Sequence, residues 1–423
     1  MKFNELLQGL LTHIKELIES PEFLEEFRTP RRFVKKAMLT LSKMVTFLLF
    51  HSKKALDGKV AEIKDNFPDV SFPSVSKQAI SKARYGIGFE LFRELFHCTS
   101  WYYYRNVGNR KKWKKQYYIF AIDGSQLEIP TSKSTFEDFG KKTDPKNPEY
   151  SWAMGSASVL LDVLEDIIVD AALEKLNTSE REMANRHLSR LHELGIAKDA
   201  IVVFDRGYYS ADIYQECINT GCKCLMRLKS TSNLCRLAGS DELTVVKAPD
   251  GTPMECRVLK VTLKTGETEY LITNVLDYWI APNCFRDLYF ERWKIESKYL
   301  ELKEQWKIEE FTGTGTLAVL QDFYISMLHA NLASIAKNGA DEVIQTTSGS
   351  KNLYRYKARR SFLIGRIQRL FVKWLLVSPT QKDIDELIRE ASRKKSQVQP
   401  DRSSERKRHV REKKHYKNRK AVF

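Results

Sequence analysis

Apolar positions in the first hundred residues recur every three to four residues, which is the spacing of an amphipathic helix. The stretches "RTPRRFVKKAMLTLSKMVTFLLF" and "SVSKQAISKARYGIGFELFRELF" both follow this spacing. Gly86 and Gly88 interrupt the second stretch, which therefore predicts two short helices with a turn between them. The region 1–112 is predicted to be helical.

The pattern changes to strands from residue 116. Short apolar runs separated by turn residues predict strands in "QYYIFAIDGSQLEIP", "SASVLLDVL" and "DIIVDAALEKL". A helix in "TSEREMANRHLSRLHELG" follows, then a buried strand in "AIVVFDRGYY", a helix in "SADIYQECINTG" and a strand in "CKCLMRLK". Strands followed by strand–helix–strand units indicate an α/β fold with a mixed sheet.

The α/β domain is predicted to cover residues 113–345, with an interruption at about 230–280. The interruption alternates strand-like runs with the turns "PDGT" and "KTGE", which predicts a β-rich insertion. A long apolar-periodic helix, "TGTGTLAVLQDFYISMLHANLASIA", is expected to close the domain. Residues 346–423 are predicted to form a helical C-terminal region with a basic tail.

The charge of the chain favours a polyanionic partner. Lys and Arg number 70 against 54 Asp and Glu, a formal net charge of +16. Nucleic acid is the commonest partner of such proteins, with an anionic membrane as the rival. Residues 393–420 are strongly basic and poor in apolar side chains, so they cannot fold alone. This tail either binds a phosphate backbone or only aids solubility.

Membrane spans and secretion are not predicted. No segment reaches the roughly 18 uninterrupted apolar residues of a transmembrane helix. The amphipathic start of the chain contains acids and no small-residue cleavage site, so a cytoplasmic location is expected. The seven cysteines include no CxxC pair, which predicts reduced, structural thiols.

The two short helices around Gly86 could form a helix-turn-helix. Its first helix would place Lys77, Lys82 and Arg84 in a major groove of DNA. Two amphipathic helices with surface lysines give the same pattern, so both interpretations stay open.

Acidic residues follow two of the predicted strands. Asp123 comes after "YYIFAI" and Asp205 after "AIVVF". Together with Glu296 on a helix they suggest a Mg²⁺ site, because Mg²⁺ prefers oxygen ligands. Two such ions can activate a water or a 3′-hydroxyl and stabilise the leaving oxygen in phosphoryl transfer. Alternatively, Asp123–Gly124 is a turn pair and Asp205 caps a helix.

Residues 289–306, "YFERWKIESKYLELKEQW", are predicted to form one amphipathic helix. On it Tyr289, Arg292, Glu296 and Lys303 would lie at about 0°, −60°, −20° and −40°, since a helix advances about 100° per residue. These four side chains would share one stripe beside an apolar, core-facing stripe. A solvated charged face is the alternative interpretation.

These residues resemble the IS4-type DDE transposases of bacterial insertion sequences. That family has a signature of Tyr, two residues, Arg, three residues, Glu, six residues and Lys, which matches the stretch above in full. "AIDGSQ" resembles the first acid block of the family. "VVFDRGYYS" resembles the second, with Arg206 and Tyr208 following the acid.

The resemblance implies an RNase H-like catalytic core, a mixed sheet flanked by helices, with a β-strand insertion before the third acid. It implies that Asp123, Asp205 and Glu296 are catalytic and hold two Mg²⁺ ions, for which Mn²⁺ can substitute. The remaining signature residues and those after the second acid would contact DNA: Tyr289, Arg292, Lys303, Arg206 and Tyr208.

The function that the resemblance implies is transposition. The protein would bind double-stranded DNA at terminal inverted repeats, cut the element ends and join them to target DNA, as a homodimer in a synaptic complex. The alternatives are an RNase H-like nuclease without strand transfer and a non-catalytic DNA-binding regulator.

Overall fold

The computed structural model describes the chain except for residues 34–38, 53, 55, 67–72, 74, 238, 264–265, 348–353 and 399–423. It divides into two compact units. The helical unit comprises Met1–Gly108, Glu128–Met154 and Leu302–Phe423, and the sheet unit comprises Asn109–Leu127 and Gly155–Glu301. Each unit is built from segments that are distant in the chain, and the three consecutive domains stay a prediction.

The helices are given in chain order with their bounds: α1 Phe3–Glu19, α2 Pro21–Glu26, α3 Leu41–Leu49, α4 Leu56–Asn66, α5 Lys77–Arg84, α6 Glu90–Asn106, α7 Lys133–Asp138, α8 Glu180–Glu193, α9 Ala211–Asn219, α10 Asn233–Leu237, α11 Pro282–Phe290, α12 Trp293–Glu304, α13 Thr316–Thr347, α14 Arg360–Leu376 and α15 Gln381–Arg393.

The strands follow in the same way: β1 Tyr118–Glu128, β2 Lys141–Asp144, β3 Asn147–Asp162, β4 Ile167–Lys175, β5 Ala200–Phe204, β6 Lys223–Arg227, β7 Asp241–Lys247, β8 Pro253–Thr262, β9 Thr268–Thr273, β10 Tyr356–Ala358 and β11 Lys395–Gln397.

The helical unit is built around α13, which is buried along most of its length. It contacts α1, α6, α14 and α15. The apolar stripe of α1 includes Leu6, Leu10 and Ile14, three buried side chains at helical spacing. The long helix that was expected to close the α/β domain is thus surrounded by helices of the helical unit.

The two predicted helices on either side of Gly86 and Gly88 are present as α5, with 8 residues, and α6, with 17 residues. Ser76 is the N-cap residue of α5, and its side chain accepts a hydrogen bond from the Ala79 amide at 3.2 Å. Lys77 and Lys82 are exposed on α5. Both therefore remain available for the predicted DNA contact.

Arg84, the third residue predicted to contact DNA, is buried and only 4% exposed. Its guanidinium forms a 2.7 Å ion pair with Asp322 on α13 and donates to Gln321 Oε1 at 2.6 Å. It also donates to Thr312 and to the Ala318 carbonyl. The prediction for Arg84 is corrected: its charge is used inside the helical unit, and the sequence could not reveal partners more than 200 residues away.

The sheet unit contains a mixed sheet with the strand order β4-β3-β1-β5-β6-β9-β8-β7. Strands β1, β5 and β6 are parallel to one another. Every residue of β5 is buried, as expected for a parallel strand covered on both faces. The predicted mixed α/β architecture is confirmed at this level.

The predicted β-rich insertion corresponds to β7, β8 and β9. It extends the main sheet, because β9 pairs with β6 in antiparallel register. Asp162, Asp166 and Asp170 lie around the β3–β4 hairpin, with Asp166 in its turn at a φ of 61°.

Three further expectations concern the chain as a whole. The seven cysteines all have free thiols, as predicted. Across the described ranges no helix is long and apolar enough to cross a bilayer. From residue 399 onward the predicted basic tail lies outside the described residues.

We expect Arg84→Ala to lower the free energy of unfolding by about 3–5 kcal/mol, because it leaves the buried Asp322 carboxylate without its cation. Urea unfolding measures this change. Lys82→Ala, an exposed cation on the same helix, is the control and should change stability by less than about 0.5 kcal/mol. Equal effects of the two substitutions would contradict the buried role of Arg84.

Candidate active site

The first two acids lie side by side on adjacent parallel strands. The register pairs Ile122 of β1 with Phe204 of β5, so Asp123 and Asp205 come next on each strand. Neighbouring strands are about 4.8 Å apart, which brings these two residues together. The strand β1 does not end at Asp123 as predicted but continues to Glu128.

The predicted helix over 289–306 is interrupted. Helix α11 ends at Phe290 and α12 begins at Trp293. Between them Arg292 N donates to the Tyr289 carbonyl at 3.2 Å, and Ile295 N donates to the Arg292 carbonyl at 3.0 Å. These three-residue spacings form a tighter turn than an α-helix. The stripe angles predicted for one continuous helix therefore do not apply to Tyr289 and Arg292.

Side-chain contacts nevertheless bring most of the signature to the two aspartates. The Tyr289 hydroxyl donates to Asp205 Oδ1 at 3.2 Å. Arg292 Nη2 lies 3.1 Å from Glu296 Oε1, and its Nη1 lies 3.9 Å from Asp123 Oδ2. Arg292 is only 5% exposed. One buried guanidinium thus links the first acid to the third.

The pKa of Asp123 depends on its burial and on the charges of Arg292, Glu296 and Asp205. Burial raises this pKa to about 6, although the Gly124 amide and Arg292 lower it. The negative charges of Glu296 and Asp205 add to the increase. The three carboxylates therefore repel one another, and positive charge at this place is favourable.

Helix α12 is anchored to the sheet unit beside Asp123. The hydroxyl of Tyr299 donates to the Asp123 carbonyl at 3.0 Å. Lys298, which is 2% exposed, forms a 2.6 Å ion pair with Asp166 in the β3–β4 turn. Lys294 Nζ donates to the Val163 carbonyl at 3.1 Å. These contacts fix the first turns of α12 and hence the backbone of Glu296.

Lys303, the last residue of the signature, belongs to the helical unit. Its Nζ lies 3.7 Å from Glu309 Oε1, and its side chain is 13% exposed. Lys303 is thus assigned to a different compact unit from Tyr289, Arg292 and Glu296, and it forms an ion pair within that unit.

A family model described as "Transposase DDE domain" matches residues 114–332. The chain belongs to this family of DDE transposases.

Two individual proteins are similar to it. "Transposase InsG for insertion sequence element IS4" of Escherichia coli is 24% identical over 247 residues, which cover 55% of this chain and 54% of the relative. The chain thus spans about half the length of this relative. A piggyBac transposase synaptic complex with hairpin DNA aligns with 90% of this chain and 85% of its own. Its TM-score of 0.47 and 10% identity are too low to establish a shared fold.

DDE transposases generally require divalent metal ions. Within the described residues no group of three or more His, Cys, Asp or Glu is arranged to hold a metal. The donor chemistry nevertheless fits Mg²⁺, since carboxylate oxygens are its preferred ligands. Burial raises the pKa of Asp123, and the negative charges of Glu296 and Asp205 add to the increase. Asp123, Asp205 and Glu296 are thus the residues that could hold such ions in this DDE transposase.

The residues that follow the second acid differ in exposure. Arg206 is exposed and can reach a ligand. Tyr208 is 2% exposed, and its hydroxyl oxygen has no hydrogen-bond partner in the described part of the chain. Burial raises the pKa of Tyr208 well above its ordinary value. The predicted contact of Tyr208 with DNA is therefore not supported by its position.

The structure adds two charged residues that the sequence analysis did not select. Arg227 ends β6 and lies next to Asp205, because the register pairs Phe204 with Met226. Glu180 of α8 approaches Gly124, where an added Cβ would lie 2.8 Å from its Oε1. Arg227 could have been found, since it ends an apolar run in the same way as Asp205.

We expect Tyr208→Phe to leave the free energy of unfolding unchanged or to raise it by about 1 kcal/mol, because it removes a buried hydroxyl without a partner. The matched change Tyr289→Phe removes a donor to a carboxylate and should lower it by about 1.5 kcal/mol. Urea unfolding compares the two variants. A larger loss for Tyr208→Phe would mean that its hydroxyl has a partner.

Proposed function

We propose that this protein is an insertion-sequence transposase that binds terminal inverted repeats, cuts DNA at the element ends and joins the ends to target DNA. The observation that supports this most is the link through Arg292 between Asp123 and Glu296, with Asp205 on the adjacent strand. We also propose that the parallel strands β1, β5 and β6 with their helices form an RNase H-like core. The protein would bind DNA in the cytoplasm.

Asp123, Asp205 and Glu296 would hold two Mg²⁺ ions, or Mn²⁺ in their place. When bound, such ions would favour deprotonation of the attacking water or 3′-hydroxyl and stabilise the leaving oxygen. The protein contributes orientation: the Gly124 amide donates to Asp123 at 2.9 Å, and the Tyr289 hydroxyl donates to Asp205. These contacts direct the carboxylates before DNA arrives.

Several cations would hold the DNA near these carboxylates. Arg206 is an exposed cation beside the second acid, whereas Arg292 is 5% exposed and its guanidinium contacts Asp123 and Glu296. Lys303 would add a phosphate contact, while Lys77 and Lys82 on α5 would contact the inverted repeat. Two copies of the chain would pair the two element ends in a synaptic homodimer.

Glu296→Gln should bind an end duplex but fail to cut or join it, because it removes one of the three anionic oxygen ligands. Glu304→Gln makes the same change at an exposed position of the same helix and should keep full activity. The assay incubates each protein with a labelled duplex from the ends of the element, Mg²⁺ and a target plasmid, and follows cut and joined DNA. Activity in Glu296→Gln would place the third ligand elsewhere.

The same assay distinguishes the alternatives. Cutting without joined products by the unaltered protein would indicate a nuclease. Binding with neither reaction, in Mg²⁺ and in Mn²⁺, would indicate a non-catalytic regulator.

Lys303→Ala should weaken binding to all duplexes and reduce the slope of log K against log salt by about one, since one phosphate contact is lost. Binding titrations at several salt concentrations measure the slope. An unchanged slope would mean that Lys303 makes no phosphate contact.

A further inference from the structure

A solvent-open cavity of about 610 Å³ lies along one face of α14 in the helical unit. Three chain segments that are distant in sequence line it, within residues 50–62, 305–307 and 361–369. We call this cavity the α14 cleft. Its lining contains none of the three catalytic carboxylates, which belong to the sheet unit.

The α14 cleft is positively charged. Its lining contains four cations, Lys54, Lys307, Arg366 and Arg369, against the single acid Glu62. The sequence of α14, "RSFLIGRIQRLFVKWLL", contains no acid at all. The cations come from all three segments, so the charge of the cleft arises from the fold and not from one basic run. Such a surface attracts polyanions.

Part of this charge is compensated by ion pairs within the protein. Lys54 lies 3.5 Å from Glu62, and Arg366 lies 3.1 Å from Glu390. These pairs are substantially exposed and hence weak. Lys307 and Arg369 form no ion pair with any acid in the described residues, which leaves both cations available to a ligand.

Two residues of the cleft stand at positions where another residue type would be more stable. Gly365 lies in the interior of α14, where glycine weakens a helix, yet an added Cβ there would meet no atom within 4 Å. Lys307 has a φ of 52°, which glycine adopts without strain and lysine does not. The protein thus has bare backbone on one wall of the cleft and a cation at a strained position.

The walls of the cleft are tied together by His51, which is 8% exposed. Its Nε2 lies 3.2 Å from Ser326 Oγ of α13, and its Nδ1 lies 3.2 Å from Gln368 Nε2 of α14. Its ring meets Trp306 edge-on at 5.5 Å. The cations are therefore mounted on walls that are held in place before a ligand binds.

We propose that the α14 cleft binds the phosphate backbone of double-stranded DNA without regard to sequence. This inference rests on the proposed function, because it assigns a second contact surface for the DNA on which the transposase acts. Duplex DNA is favoured over a small anion because the cleft is open to solvent and its cations are spread over three segments. A small anion would need converging donors in an enclosed site.

The first test places opposite charges at one position, with Gly365→Glu and Gly365→Lys. Both side chains enter open space and favour a helix more than glycine does, so both variants should fold. Binding of a labelled random-sequence duplex is measured at several salt concentrations. Gly365→Lys should tighten binding and steepen the salt slope by about one, and Gly365→Glu should do the opposite. Equal effects of the two variants would overturn the inference.

The second test separates binding from folding with Lys307→Gly. This change removes a cation and relieves the strained backbone, so the melting temperature should stay constant or rise while the salt slope decreases by about one. Lys115→Gly is the control, since Lys115 also has a positive φ, of 60°. Lys115 is exposed and Lys307 is half-buried. The control should leave duplex binding unchanged. A normal salt slope in Lys307→Gly would overturn the inference.

A competition experiment with pyrophosphate, at a phosphate concentration equal to that of the duplex, distinguishes a site for DNA from a site for a small phosphate anion. Little displacement of the duplex supports the inference, and complete displacement would assign the cleft to a small anion. A protein that neither binds nor cuts DNA would overturn the proposed function as well. A protein that binds and cuts DNA normally in every cleft variant would overturn only the inference.

Discussion

The positive charge of Arg292 is the interaction on which the candidate active site depends. Burial raises the pKa of Asp123 to about 6, and repulsion by the negative charges of Glu296 and Asp205 adds to the increase. Arg292 opposes this repulsion from a buried position, in contact with both Asp123 and Glu296. Its own desolvation is compensated by the same anions. The cluster of acids and the buried cation therefore require each other.

The rest of the sheet unit keeps these charges in register. Parallel pairing of β1 with β5 sets Asp123 beside Asp205, and Tyr299 ties α12 to the backbone of β1. The ion pair of buried Lys298 with half-buried Asp166 holds the same helix to the β3–β4 turn. In the helical unit an ion pair in which both residues are buried, Arg84 with Asp322, joins α5 to α13. Both units thus use buried cations to orient helices.

The sequence located the acids of the site through local patterns. Apolar runs before Asp123 and Asp205 predicted two strands, although β1 continues to Glu128, and the signature spacing selected Glu296 as a candidate. It did not reveal the break between α11 and α12, because a tighter turn retains the apolar spacing of a helix. It also failed for Arg84 and Tyr208, since polar residues that are buried look like exposed ones until their partners are known.

What the sequence determined by itself is what depends on short-range chemistry: the periods of helices and strands, the basic composition, and the residues of the DDE signature. Only the tertiary structure decided which charges are buried, that Arg227 lies beside Asp205, and that Lys307 and Arg369 line one cleft. The physical reason is that burial and charge pairing arise from contacts between residues far apart in the chain. No local pattern encodes the distance between two such side chains.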